Sequence, residues 1–227
     1  MLFLVDSRKK VIFGWSAKCG CSHIKSLYWY LQNGRVDNKI HTFRDINKLP
    51  KNIEDYTTII IIRNPYKRLV SGFLDKYKVK GEFRKLWKHP TITFSLFVDE
   101  LTKNDYKMIQ AHHFKPQTSE HFNRSILNSK CFKCYEIENI DYAFLSSLYN
   151  REIPETLMGK EFKNERPKYD TTIDNYVYDL NMDDYCNSNV DIRYFYNEEL
   201  RTKVQNFYID DFNFFNELGF DYINTIQ

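Results

Sequence analysis

Val11-Ile12-Phe13-Gly14-Trp15-Ser16-Ala17-Lys18-Cys19-Gly20-Cys21-Ser22-His23-Ile24 passes from an apolar, strand-like run through a short glycine-containing loop into an amphipathic segment. Beyond the loop, Ile24, Leu27, Tyr28 and Leu31 fall at i, i+3, i+4 and i+7, the stripe that a packed helix buries. The pattern recurs downstream. Thr57-Thr58-Ile59-Ile60-Ile61-Ile62 reads as a buried strand, Arg63-Asn64-Pro65 as the loop, and Leu69, Val70, Phe73, Leu74 and Tyr77 as the apolar face of a second helix. Strand, loop and helix repeated in this way are the skeleton of a parallel sheet, whose ligands sit at the carboxyl ends of the strands. The expectation is an α/β nucleotide-binding enzyme.

A length of 227 residues fits one domain with some elaboration. Hydrophobic residues make up 42% and charged residues 28%, ordinary for a globular protein and incompatible with wholesale disorder. A net charge of +3 is too small for a nucleic-acid coat, so no nucleic-acid partner is expected. No apolar stretch approaches the length of a membrane helix, and Asp6 interrupts Met1-Leu2-Phe3-Leu4-Val5 too early for a signal peptide. Five scattered cysteines read as reduced thiols, and the expectation is a soluble, cytoplasmic protein. Cys19-x-Cys21 with Cys131-x-x-Cys134 is a weaker alternative, a four-thiolate zinc site.

Residues 1–15 read as a hairpin turning at Asp6-Ser7-Arg8-Lys9-Lys10. A short edge strand is expected around His41-Thr42-Phe43, helices over Phe94–Leu101, Ile140–Tyr149 and Phe195–Phe207, and a strand over Lys130–Glu136. A last helix begins at Tyr208-Ile209-Asp210-Asp211-Phe212. The stretch at about 150–190, rich in Asp, Asn, Lys and Pro, reads as an irregular excursion over the active face.

Both loops suit anions. A helix N-terminus presents backbone N–H groups and a partial positive charge. In the first loop Lys18 adds a mobile cation, Gly20 permits close approach, and Ser22 serves as helix cap and oxyanion donor. The simpler reading leaves Ser22 a cap and Lys18 a solvated charge. The loop lacks the Gly-x-x-x-x-Gly-Lys-Ser/Thr spacing of a triphosphate-binding P-loop. In the second loop Pro65 suits a first helical turn, and Arg63 offers a planar fork to a phosphate or pairs with a carboxylate. Ser71 lies on the helix that follows.

At four places the chain resembles the sulfotransferases that use 3′-phosphoadenosine-5′-phosphosulfate, specifically their carbohydrate (family 2) branch. Lys18-Cys19-Gly20-Cys21-Ser22-His23-Ile24-Lys25 is similar to the family's 5′-phosphosulfate loop, and Ile62 through Tyr77 to its 3′-phosphate motif. His113-Phe114-Lys115-Pro116-Gln117 resembles a His-aromatic-x-Pro-Gln element, Tyr208–Phe212 a C-terminal signature, and Tyr135-Glu136 a weaker match. Ala17 stands where the family has Pro, Ser22 where it often has Thr, Phe114 where it has Trp, and His121 where luminal relatives place a cysteine.

The resemblance implies a P-loop-like parallel β-sheet flanked by helices in a single domain, and in-line transfer of a sulfuryl group to an acceptor hydroxyl with no metal required. Lys18 would stabilise the departing nucleotide. Cys19, Gly20, Cys21, Ser22 and His23 would hold the 5′-phosphosulfate, and Arg63 and Ser71 the 3′-phosphate. His113 is the leading general base, with His23, His112 and Glu136 as alternatives and a silent structural histidine as the simpler one. The expected acceptor is a glycan hydroxyl. Aromatic residues between Tyr169 and Tyr185 are candidates to stack on a sugar, and Lys78 to Lys88 to attract an acidic one. A small ATP-dependent kinase on a related fold and a non-catalytic binding module are the other readings.

Overall fold

The computed structural model describes residues 1–36, 49–103, 109, 111–119, 122–158 and 169–225; the expected strand at His41-Thr42-Phe43 and the position of His121 lie outside them. The chain is mixed α/β, with a parallel-rich sheet flanked by helices. It divides into two compact units, Met1–Arg63 with Gln117–Arg166, and Asn64–Pro116 with Pro167–Gln227.

The first unit holds β1 (Leu2–Asp6), β2 (Val11–Trp15), α1 (Cys21–Asn33) and β3 (Thr57–Ile62). In the second lie α2 (Pro65–Tyr77), α3 (Phe94–Thr102) and α4 (Ala111–Phe114). The chain then returns to the first unit for β4 (Cys131–Glu136), α5 (Tyr142–Tyr149) and α6 (Glu155–Met158). It closes in the second with β5 (Thr172–Ile173), β6 (Asn189–Val190), α7 (Glu198–Phe207) and α8 (Ile209–Glu217).

β1 and β2 form the expected hairpin, antiparallel, with Asp6 opposite Val11. Its turn is an Asx turn: Asp6 Oδ1 accepts the N–H groups of Arg8 and Lys9 at 3.0 and 3.1 Å. β3 runs parallel to β2 and β4 parallel to β3, giving the order β1-β2-β3-β4. Strands covered on both faces need continuous apolar sequence, which is why Ile59, Ile60, Ile61 and Ile62 are all buried. The α1 stripe of Ile24, Leu27, Tyr28 and Leu31 joins Phe13, Trp15, Ile59 and Ile61, together with Leu145 and Tyr149 of α5, in one core. α1 ends at Gly34, whose φ of 74° lets its N–H reach the Tyr30 carbonyl at 2.7 Å. α5 begins at Tyr142 rather than Ile140, because Asp141 caps it by accepting the Phe144 N–H at 2.9 Å.

Aromatic rings make the core of the second unit. Phe97 lies 5.0 Å from both Phe73 and Phe114, and Phe94 lies 5.1 Å from Tyr196, centroid to centroid. Burying each such ring contributes about 1.5–3 kcal/mol. Much of the chain's aromatic content is therefore packing. Asn64 caps α2, its Oδ1 accepting the Tyr66 N–H at 2.9 Å, with Pro65 at the first helical position. The helix expected over Phe195–Phe207 instead starts at Glu198: Asn197 accepts the Leu200 N–H at 2.8 Å, and buried Phe195 ends a 3-10 turn, Ile192–Phe195. Within 150–190, the described residues form α6, the paired β5 and β6, and a 3-10 turn at Met182–Asp184.

Gly72 is a close-approach glycine on α2. A Cβ there would stand 2.5 Å from Cε1 of Phe114, a fully enclosed ring. Ala in place of Gly normally stabilises a helix interior by about 1 kcal/mol; overpacking costs about 1–3 kcal/mol and should prevail here. Gly72→Ala should lower the melting temperature in thermal unfolding followed by circular dichroism. An increase would show that Phe114 has room to move.

Candidate active site

The first loop starts where β2 ends. The Cys19 N–H donates to the Ser16 carbonyl at 3.1 Å, closing a β-turn whose third residue, Lys18, sits at φ 67°. That left-handed geometry, which costs a non-glycine residue about 1–2 kcal/mol, is the one a type II turn requires at this position. Gly20 follows at φ 74°, ψ 36° and is the N-cap of α1. Glycine is needed there twice over, because a Cβ would also fall 2.5 Å from Cδ1 of Ile137.

The structure corrects one role. Ser22 does not cap α1: the cap is Gly20, with no side-chain hydrogen bond, and the helix is already under way at Cys21. The first intrahelical bond runs from the Ile24 N–H to the Gly20 carbonyl at 2.9 Å. The N–H groups of Cys21, Ser22 and His23 thus precede the helical ladder, as the outward donors of a helix N-terminus do. No carboxylate occupies the first turn.

Arg63 joins this loop from the end of β3. Its Nη1 donates to the Lys18 carbonyl at 3.2 Å, and its Nε lies 3.6 Å from Oε1 of Glu138. The carboxylate partner foreseen for Arg63 therefore exists, alongside a direct contact with the first loop. The guanidinium is 26% exposed and Glu138 46%, so this long pair is weak.

What fixes both loops is Gln117, fully buried. Its Oε1 accepts the Arg63 N–H at 3.1 Å and the Cys19 thiol at 3.0 Å, while its Nε2 donates to the Arg63 carbonyl at 2.8 Å. Its own carbonyl accepts from Ser16 Oγ at 3.4 Å. The side-chain amide thus extends β3 as one more strand residue would. In the sequence Gln117 is visible only as the end of a motif centred on His113. Its role and that of Ile137 depend on contacts distant along the chain.

The remaining candidates divide. His23 is buried, and its Nε2 bonds the Tyr142 hydroxyl at 2.9 Å, so its side chain ties α1 to α5. Burial pushes the Tyr142 hydroxyl up to about 12. Lys25, which the sequence did not single out, is buried with its ammonium 4.6 Å from the Trp15 ring centroid. Ser71 and His113 lie in the second unit, on α2 and α4. The His113 carbonyl accepts from Nη2 of buried Arg68 at 3.3 Å, and its ring stands edge-on to Phe83 at 5.1 Å. Buried Tyr208 donates to the neighbouring Phe114 carbonyl at 2.6 Å. The C-terminal signature therefore anchors the His113-Phe114 segment.

The cysteine pairs do not build a zinc site. Cys19 is spent on Gln117, burial pushes the Cys134 thiol up, and no group of three or more His, Cys, Asp or Glu among the described residues is placed to hold a metal. The basic stretch is partly neutralised too. Arg84 forms a bidentate pair with Asp183 at 2.5 and 2.6 Å, and the Lys78 ammonium lies 3.9 Å from Asp75. No described helix is long and apolar enough to cross a membrane.

Replacing Gln117 by Ala takes its amide from the part-buried Arg63 N–H and carbonyl and from the buried Cys19 thiol. Each unsatisfied group costs about 1–3 kcal/mol and three lose a partner here, so Gln117→Ala should lose about 3 kcal/mol or more in urea unfolding. A loss under about 0.5 kcal/mol, the scale of ordinary surface changes, would show that the amide fixes nothing.

Neither the curated proteins nor the solved structures return a match to the chain. The model of the sulfotransferase family, however, matches residues 1–220, which takes in both loops, the Pro-Gln element and the C-terminal signature. The chain belongs to the sulfotransferase family, whose members are transferases of sulfuryl groups.

Proposed function

We propose that the chain moves a sulfuryl group from 3′-phosphoadenosine-5′-phosphosulfate to a hydroxyl of a carbohydrate. The observation that carries this reading is the bond from Arg63 to the Lys18 carbonyl, which joins the two anion-suited loops at one end of the sheet.

The residues present fit such a nucleotide. In the loop Lys18 and Gly20 are held in left-handed geometry, glycine keeps a Cβ away, and a helix N-terminus free of carboxylates follows. Backbone N–H groups of Cys21, Ser22 and His23, with the Ser22 hydroxyl, would hold the 5′ group beside Lys18, whereas Cys19, buried with its N–H on Ser16 and its thiol on Gln117, shapes the turn instead of meeting the ligand. His23 contributes only its backbone, since its ring is engaged with Tyr142. The Arg63 fork would take the 3′-phosphate, a better partner than a half-exposed carboxylate at 3.6 Å. When bound, the nucleotide supplies the sulfuryl group. The Lys18 ammonium would meet the negative charge that grows on the departing phosphate oxygen, where a preorganised cation lowers the barrier. The assignment of Ser71 to the 3′-phosphate, and of His113 to the proton of the attacking hydroxyl, rests on their motifs.

Calorimetric titration with 3′-phosphoadenosine-5′-phosphate should give saturable binding, weakened about tenfold or more by Arg63→Ala, the scale of a lost charge-assisted bond. Lys18→Ala should slow transfer to a glycan panel by about 10²–10³-fold while nucleotide binding persists. Preference for ATP with magnesium, or transfer confined to peptides and small alcohols, would overturn the proposal.

A further inference from the structure

Besides the anion loops, the second unit carries a cavity of about 430 Å³ with unusual chemistry. Tyr176, Tyr178, Tyr194 and Tyr196 line it, and Arg193 and Arg201 supply its cations. Its lining is set by short-range geometry. In Tyr176-Val177-Tyr178, Val177 is fully buried, and its carbonyl accepts the Leu180 N–H at 3.0 Å, closing a turn that carries Tyr178. Backbone bonds pin that run at both ends: the Val177 N–H donates to the Tyr194 carbonyl, and the Ser95 N–H to the Tyr178 carbonyl, each at 2.9 Å.

The rings are not stacked on one another. Tyr176 meets Tyr194 at 88° and Tyr178 at 59°, with centroids 5.9 and 5.6 Å apart. Tyr176 remains 57% exposed, so its ring is open to a ligand. Aromatic faces set at an angle around a small cavity suit a ligand with flat C–H faces and many hydroxyls. A pyranose has both.

The polar groups define which pyranose. The Arg193 guanidinium lies 5.3 Å from the Tyr194 ring centroid, and that side chain is 59% exposed, its contact with Asp191 a long 3.6 Å. A guanidinium held against an aromatic face keeps its edge for a bidentate acceptor, carboxylate or sulfate. Asn197, fixed by its cap bond to Leu200, and Glu198 at the same wall supply a donor and an acceptor for hydroxyls. Among the lining residues two arginines stand against the one carboxylate of Glu198, with Asp191 beyond the lining at 3.6 Å from Arg193.

We propose that this cavity is a binding subsite for an acidic saccharide: a uronate or O-sulfated pyranose rests its face on Tyr176 or Tyr194 and its anion on Arg193. It would select a glycan by a sugar other than the one modified. This deepens the reading of the chain as a carbohydrate sulfotransferase and rests on it for the link to the acceptor.

The test is direct binding without nucleotide, which separates its failure from that of the sulfuryl-transfer reading. Titration calorimetry would use a uronate-containing chondroitin tetrasaccharide, its carboxyl-reduced analogue and a tyrosine-sulfated peptide. The tetrasaccharide should bind, and the exposed changes Tyr176→Ala and Arg193→Ala should each weaken it about tenfold, the scale of one lost ring or ion contact. The carboxyl-reduced analogue should bind more weakly and be indifferent to Arg193→Ala. Absence of binding, equal binding by both variants, or tighter binding of the peptide would overturn the proposal, whatever the protein does with 3′-phosphoadenosine-5′-phosphate.

Discussion

The buried amide of Gln117 is the interaction on which the rest of the site depends. One side chain satisfies the backbone N–H and carbonyl of Arg63 and the thiol of Cys19, and so holds the end of β3 against the turn after β2. Neighbouring parallel strands bring their carboxyl ends to one edge of a sheet, but that alone does not set the spacing of the loops that leave them. Gln117 sets it here. An apolar residue of similar length would fill the space and leave buried polar groups without partners, the costlier outcome. The amide is short enough to demand its partners at hydrogen-bond distance, so the position of Arg63 follows from the position of the strand.

Around that fixed point the loop carries strain in one place and relief in the next. Lys18 adopts a backbone geometry that glycine tolerates better, and Gly20 adopts a similar one without penalty. A glycine at position 18 would ease the turn but remove the cation. The Lys18 carbonyl, turned by this geometry, receives the Arg63 guanidinium. The second unit shows the same economy of means: Gly72 exists to admit Phe114, and Tyr208 and Arg68 then hold the carbonyls of Phe114 and His113. The motifs that make the family recognisable are therefore partly about mutual fixation of backbone.

β2 and β3 were legible because they are covered on both faces, and such burial leaves continuous apolar runs at Val11–Trp15 and from Ile59 to Ile62. The helices α1 and α2 were legible through their stripes, and the hairpin through its turn residues. The misread details share a cause. Ser22 looks like a cap by residue type, yet the chain enters α1 through the left-handed Gly20, a choice made with Ile137 more than a hundred residues away. Phe195 has the right period for α7 but is drawn into the aromatic core, and Asn197 starts the helix instead. Gln117 and Tyr142 carry no local signal, because each acts on a segment remote in sequence. The tyrosine cavity was half visible: Tyr176 and Tyr178 fall within the aromatic stretch read as sugar-binding, while Arg193 and Tyr194 come from beyond it.

The central claim is that the start of α1 and Arg63 form one anion site. Amide hydrogen exchange, with and without 3′-phosphoadenosine-5′-phosphate, tests it most directly. The account predicts slowed exchange at Cys21, Ser22 and His23 when the nucleotide binds. Saturable binding that leaves these amides unchanged and protects another region would contradict it.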